Sequence, residues 1–320
     1  MARIGRRAAF AAYAAEQRAA AIASGWNHAL VLAVFMIAVA LVLVAALVLA
    51  GWSLCYRSVF PFVNARRRAK DDEYLFNACA SGLVSRFRWV NRRLPADPRC
   101  RTCLVPFGGV GRVFRVQPSR KNPNYCMSCF EMAPLGATDM QIGVLFADLR
   151  GFTSWCEGQP PEAVERALNR FYTVTTSAVT DADGLVDKLV GDEVIGLFLP
   201  VFPALGDHTC GVMVSAAERI IRGLNDATSG TTALPVGIGL NFGMARVGNV
   251  GAGVVKDFTA VGDVVNTAAR LQDAASAGEI VVSEAVYERI SRRYPKAAPT
   301  RLDLRGKAEP VLARVLAIGD

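Results

Sequence analysis

Two aspartates at the ends of apolar runs are the residues in this chain best suited to do chemistry. The first closes a short run in Val144–Thr153, V-L-F-A-D-L-R-G-F-T. A buried strand that delivers Asp148 at its end, followed by Arg150, Gly151, Phe152 and Thr153 with backbone N–H groups turned outward, suits a metal-bound polyphosphate. One carboxylate does not hold two metals. A second stands about forty residues on in Asp187–Leu199, D-K-L-V-G-D-E-V-I-G-L-F-L, where two apolar runs flank a Gly191-Asp192 hairpin tip. The two strand ends are expected to bring Asp148 and Asp192 together.

A second constellation is made of sulfur. Of eight cysteines, four form the pairs Cys100-Arg-Thr-Cys103 and Cys126-Met-Ser-Cys129, with 22 residues between the pairs. Each C-x-x-C forms a knuckle whose thiolates converge on one ion, and two knuckles complete a tetrahedral site on the plan of a zinc ribbon. The loop is slightly longer than the usual spacing. An iron-sulfur cluster, a thiol-disulfide pair and an unmetallated module are the alternatives. The other four are Cys55, Cys79, Cys156 and Cys210; two pairs within one segment are not the scattered pattern of a small disulfide scaffold, and a reducing compartment is expected. Phe107-Gly-Gly-Val-Gly111 lacks the Lys-Ser/Thr and the strand-then-helix context of a phosphate loop. His28 and His208 have no partners in sequence and read as structural, as does Cys156.

These residues need elements to position them. With 52% hydrophobic residues and a mean hydropathy of +0.28, the 320-residue chain is more apolar than an ordinary soluble domain. The excess sits in Ala29–Ala50, 22 residues without a charge, long enough at ~1.5 Å per residue to cross a ~30 Å hydrocarbon core. It exceeds the ~7 to 15 residue apolar region of a signal peptide. Residues 29–52 are therefore expected to be one transmembrane helix flanked by Trp26 and Trp52, preceded by a basic, alanine-rich cytosolic or interfacial segment over 1–28. Charge is uneven: residues 1–139 hold 19 Lys and Arg against 7 Asp and Glu, net +12, whereas 140–320 hold 17 against 21, net −4. A basic flank beside an apolar span speaks for topology and a lipid surface rather than for nucleic acid.

Residues 53–95 read as a juxtamembrane linker. Tyr74, Leu75, Ala78, Leu83, Phe87 and Val90 recur there at near-helical spacing, which suits a coupling helix, a dimer contact or an ordinary packed helix. The cysteine module occupies 96–135, and Ala133–Asp139, with Pro134 and Gly136, reads as a connector. Beyond it the pattern predicts a strand over Gly143–Asp148, a helix over Pro161–Thr180 and a hairpin over Leu185–Leu199. A helix over Asp207–Asn225, a strand over Pro235–Phe242 and a helix over Asp263–Ala275 capped by Asp263 follow. The remainder is a strand over Glu279–Val282, a helix over Ser283–Tyr294 and a final strand pair.

F-A-D-L-R-G-F-T, K-L-V-G-D-E-V, G-I-G-L-N-F-G, D-F-T-A-V-G-D-V-V-N-T-A-A-R-L and L-R-G-K-A-E-P-V follow one another in that order. Together they resemble the catalytic domain of class III nucleotidyl cyclases over residues 140–319. V-G-D-E-V also resembles a diguanylate cyclase signature, but the N-T-A-A-R stretch has no place in that family. The resemblance implies an α+β fold, a ferredoxin-like βαββαβ domain with additions, following the membrane helix and the four-cysteine metal-ribbon-like module.

It also implies an adenylyl cyclase that turns ATP into 3′,5′-cyclic AMP and pyrophosphate with two Mg2+ or Mn2+ ions, in intracellular signalling. Asp148 and Asp192 would be the metal ligands with the Leu149 carbonyl, and Gly151, Phe152 and Thr153 would bind the phosphates. Asn266 and Arg270, four apart on one helix face, would orient the ribose and stabilise charge on the α-phosphate. Lys307 would grip the terminal phosphates. Lys188 and Thr259 match the base-reading pair, in the Lys/Thr version found among bacterial members, whereas guanylyl cyclases tend to carry glutamate and cysteine. In the family the metal aspartates come from one subunit and the other groups from its partner, so a homodimer is implied. Nucleoside triphosphate is available in the cytosol, which implies a single-pass protein of the cell (inner) membrane with its catalytic domain in the cytoplasm. The competing readings are a guanylyl cyclase and a catalytically silent sensor or scaffold.

Overall fold

The computed structural model describes residues 82–129, 131, 136–202, 204–226, 234–252, 255–303 and 309–316, with isolated helical positions at 15, 16, 36, 37, 39, 40, 42 and 43. The expected 1–28 segment and membrane span lie outside the described residues apart from those positions, as do residues 53–81 and Lys307. Among the described residues no helix is long and apolar enough to cross a membrane. Contacts divide the chain at Arg66, and residues 67–320 form one unit.

The scaffold is the expected βαββαβ core with additions. It runs β1 (Gly136–Leu149), α1 (Phe152–Cys156), α2 (Pro161–Asp181), β2 (Leu185–Val190), β3 (Glu193–Phe198), α3 (Thr209–Asn225) and β4 (Val236–Ala252). β4, β1, β3 and β2 lie side by side, each pair antiparallel. The additions are β5 (Val255–Val261), α4 (Asp263–Asp273), β6 (Ile280–Ser283), α5 (Glu284–Ile290), β7 (Pro299–Leu302) and β8 (Val311–Leu316). They extend the sheet to β2-β3-β1-β4-β6-β8-β7, with β5 paired to β4. β6 joins β4 in parallel, which its crossover through α4 requires.

Helices cover both faces of the sheet, which is why residues 142–147 of β1 are buried without alternation. A Cβ on Gly143 would press on Met213 of α3, and one on Gly196 would press on Val179 of α2. On the opposite face, a Cβ on Gly239 would collide with the backbone of Ala268 and Gln272 in α4. Glycine at 239 therefore lets α4 lie directly on the sheet.

Several boundaries differ from the sequence reading. β1 begins at Gly136, so residues 136–139 of the expected connector are strand, while 133–135 lie outside the described residues. β4 continues ten residues past Phe242 and turns back as β5, a hairpin arm whose glycines at 243, 248, 251 and 253 speak for loop in the sequence. Gly262, not Asp263, occupies the cap of α4, and Asp263 is the first helical residue, with its carboxylate accepting from the Thr267 hydroxyl. α5 ends at Ile290, four residues early.

The cysteine module is not a separate body. Cys100, Tyr125 and Cys126 are buried in the same hydrophobic core as β1, α2 and α3, and the Tyr125 ring stacks on Phe202 at 4.4 Å. A helix over Gly82–Arg93 leads into it. Its Val90 and Trp89 face outward, contrary to a packed stripe that included Val90, while Asn91 is buried and donates to the Cys103 carbonyl at 2.9 Å.

Candidate active site

The acidic end of the site is built by strand register. Asp148 pairs with Glu193 on β3 and with Gly237 on β4, so all three project to the face that carries α4. Gly191, at φ +59, turns the β2-β3 hairpin, and the following Asp192 carbonyl accepts from the Leu149 N–H at 3.1 Å, closing the tip against the end of β1. The Tyr172 hydroxyl donates to the Gly191 carbonyl from α2. Asp148 and Asp192 are thus brought together, as expected.

Burial, then the neighbouring Asp192, pushes the Asp148 carboxyl up to about 6 despite Arg150. Glu193 is pushed up to about 7 by burial and by Asp148, Asp273 and Asp192. Four carboxylates thus share one corner, and the repulsion is what a divalent cation would relieve. The donor set fits the hard, oxygen-ligated ions that the resemblance implies.

The cation beside Asp148 is Arg150. Its Nη1 lies 3.6 Å from Asp148, and Nη2 donates to the Gln272 carbonyl at the end of α4. Gly237 leaves room for this guanidinium, because a Cβ there would strike it. Gly151, at φ +69, then caps α1; Phe152 packs against the core while Thr153 stays exposed. On α4, Asn266 is exposed and Arg270 is half-buried, with Nη1 on Asp273 at 3.1 Å.

A second cluster holds the expected base-reading pair. Lys188 Nζ donates to the Thr259 hydroxyl at 2.9 Å, and both groups meet the same Asp187 oxygen, each at 2.9 Å. A bulge in β2 falls between Val186 and Lys188 and makes Asp187 the extra residue. The bulge lets consecutive side chains serve one place. Burial pulls the Lys188 ammonium down, but Asp187 and Asp257 hold it above the usual lysine value.

Glu193, Asp273, Asp187 and Asp257 were missed in the sequence as site residues, and Arg150 was read for its backbone N–H, which donates instead to the Pro235 carbonyl at 2.7 Å, and not for its guanidinium. Glu193 and Arg150 adjoin motif residues and could have been weighed, whereas Asp273 and Asp257 arrive only through packing of α4 and β5. The four cysteine sulfurs also converge, all within 4.8 Å of one another.

A βαββαβ sheet with carboxylates at two adjacent strand ends, and an arginine-bearing helix on the same face, defines a domain built to handle metal-bound phosphate. The chain belongs to the family described as the adenylate and guanylate cyclase catalytic domain, which matches residues 137–313. It is 28% identical over 197 residues to an adenylate cyclase of Anabaena cylindrica, covering 56% of this chain and 39% of that protein. With adenylate cyclase 1 of Rhizobium meliloti it shares 32% over 136 residues, 41% of this chain and 20% of the relative. The chain thus spans well under half the length of these relatives. Among solved structures, the adenylyl cyclase CyaB from P. aeruginosa superposes with a TM-score of 0.52 at 28% identity, covering 57% of this chain and 97% of that one. A guanylyl cyclase superposes equally well, with a TM-score of 0.53 at 28% identity over 57% of this chain and 94% of that one. Both nucleotide classes are therefore represented among its neighbours.

Proposed function

We propose that the protein is an adenylyl cyclase, making 3′,5′-cyclic AMP and pyrophosphate from ATP at the interface of a homodimer. The observation that carries the base assignment is the Asp187-Thr259-Lys188 triangle. Because the Thr259 hydroxyl gives its proton to Asp187, its oxygen is left as an acceptor, with one lone pair engaged by Lys188 and one free. A free acceptor beside a lysine ammonium matches the 6-amino group and N1 of adenine. Guanine presents an acceptor at O6 and a donor at N1, the reverse pattern, so a site of this kind favours adenine and allows modest turnover of GTP.

Asp148 and Asp192, with the Leu149 carbonyl, would hold the two Mg2+ or Mn2+ ions. Such ions activate the ribose 3′-hydroxyl and neutralise the phosphates. Gly151, Phe152 and Thr153 line the phosphate end, and Arg270 supplies a fixed charge for the α-phosphate beside Asn266 at the ribose. Lys307, outside the described residues, would by the same resemblance complete the set at the terminal phosphates. Leu189, Val190, Met244, Val255 and Val261 are exposed apolar residues on the elements that carry Lys188 and Thr259 and on the adjoining β4. Among the described residues, exposed apolar side chains on these neighbouring strands suit a second copy of the chain. The uncharged run over 29–50 supports a single-pass anchor with the catalytic domain in the cytosol.

The base assignment is tested by kcat/KM for ATP and GTP in the wild type and in Thr259→Val, which keeps the shape and loses the acceptor. The wild type should prefer ATP, and the variant should lose roughly 10 to 100-fold on ATP and less on GTP. A wild type that prefers GTP would overturn the base assignment and leave the cyclase assignment standing.

A further inference from the structure

The module over 96–131 touches the proposed base-reading pair through a continuous set of contacts, and its four sulfurs have the spacing of one metal ion. Cys100 and Cys129 sulfurs are 3.7 Å apart, Cys103 and Cys126 3.7 Å, and Cys126 and Cys129 3.3 Å. All four are free thiols. A tetrahedral ion with metal-sulfur bonds of ~2.3 Å sets its ligands about 3.8 Å apart, whereas a disulfide needs about 2 Å. A cluster of two or four irons spreads its thiolates over several metals, so sulfurs all within 4.8 Å suit a single ion better. The Cys126 N–H also donates to the Cys100 sulfur at 3.3 Å, a contact that steadies a thiolate ligand.

The segment between the knuckles reaches the purine-reading strand. The Lys121 carbonyl accepts from the Val186 N–H at 2.8 Å, and Asn122 Nδ2 donates to the Gly184 carbonyl at 2.7 Å and the Thr180 carbonyl at 3.2 Å. The Tyr125 hydroxyl donates to Asp183 at 2.9 Å, and Arg101, within the first knuckle, pairs with the same carboxylate. Lys121, almost wholly buried, places Nζ 3.2 Å from one Asp187 oxygen while Lys188 and Thr259 share the other. Nζ also lies 3.0 Å from Asp257 on β5. Asp187 is therefore held between the module on one side and the base-reading pair on the other.

We propose that Cys100, Cys103, Cys126 and Cys129 bind one Zn2+ and that this ion, through Lys121 and Asp187, positions Lys188 and Thr259 for the purine. Lys121 and Asp187 are positioning residues on this reading, which rests on the base assignment made above. Loss of the ion frees the 119–125 segment from β2 and loosens the nucleotide's base end, while the strand-end carboxylates stay in place. Metal supply or thiol modification at the module would then set the cyclase's affinity for its substrate.

The purified full-length chain should contain one zinc per chain by elemental analysis and lose it in Cys126→Ser; no metal, or iron with or without sulfide, would overturn the assignment of the ion. Lys121→Met removes the side-chain link to Asp187 and Asp257 without touching a thiol. It should keep its zinc, raise KM for ATP about tenfold, change kcat less than threefold and lower the ATP to GTP ratio. A full-zinc Lys121→Met with unchanged KM and base preference would overturn the coupling. Hydrogen exchange separates this inference from the cyclase reading, because it needs no turnover. Withdrawing zinc with a chelator should speed exchange at 184–190 at least tenfold and leave 144–149 protected; equal protection of both with and without zinc would contradict the coupling whatever the enzyme makes.

Discussion

Asp148 and Glu193 carry raised carboxyl pKa values, about 6 and about 7, in a corner shared with Asp192 and Asp273. Unfolded carboxyls titrate near 4, so between pH ~4 and ~7 the folded protein binds more protons than the unfolded one, and stability falls as pH rises through that window. We predict that metal-free protein loses roughly 1 to 3 kcal/mol between pH 5 and 7.5, read as a Tm lower by several degrees. Mg2+ or Mn2+ should restore most of it at pH 7.5, and Asp148→Asn should flatten the profile. A metal-free Tm that rises over this range would contradict the acidic corner. Asp148 and Asp192 were legible in the sequence because each ends an apolar run at a glycine turn. Asp273 was not, since only the seating of α4 on Gly239 brings a residue 125 positions away to the same corner.

Among the elements, the βαββαβ core was legible because each of its strands contains a short apolar run and its helices carry one apolar face each. The β4-β5 arm was not. Its glycines at 248 and 251 spoke for a loop, yet a Cβ at either would meet the backbone of the adjoining strand, Gly136 and Ala137 at the first and Val255 and Lys256 at the second. They are glycines because strands approach closely there, at 248 across to β1, more than a hundred residues away in the chain, and at 251 within the hairpin itself. Thr259 was identified by motif while the strand that carries it went unrecognised. The closeness of α4 to the sheet yields its own prediction. Gly239→Ala should cost about 1 to 3 kcal/mol in denaturant unfolding, as an overpacked core does, and displace Asn266 and Arg270 enough to lower kcat at least tenfold. Unchanged stability and activity would show that α4 does not depend on that contact.

For the whole molecule, each chain carries both an acidic corner and the proposed purine-reading pair, and apolar side chains on the strands that carry the latter are exposed among the described residues. A homodimer should therefore have two equivalent sites, each drawing its carboxylates from one protomer and its base-reading and α-phosphate groups from the other. Mixing Asp148→Ala with Arg270→Ala chains should recover up to about a quarter of wild-type activity, because half of the random dimers are mixed and each has one intact site. Mixed dimers that stay as inactive as either parent would rule out shared sites. The most direct test of the account is cyclic-nucleotide formation by the purified full-length protein in detergent, with Mg2+ or Mn2+ and with ATP and GTP offered in parallel. Cyclic AMP is the expected main product, abolished by Asp148→Ala. A folded dimer that makes neither cyclic AMP nor cyclic GMP with either metal would contradict it.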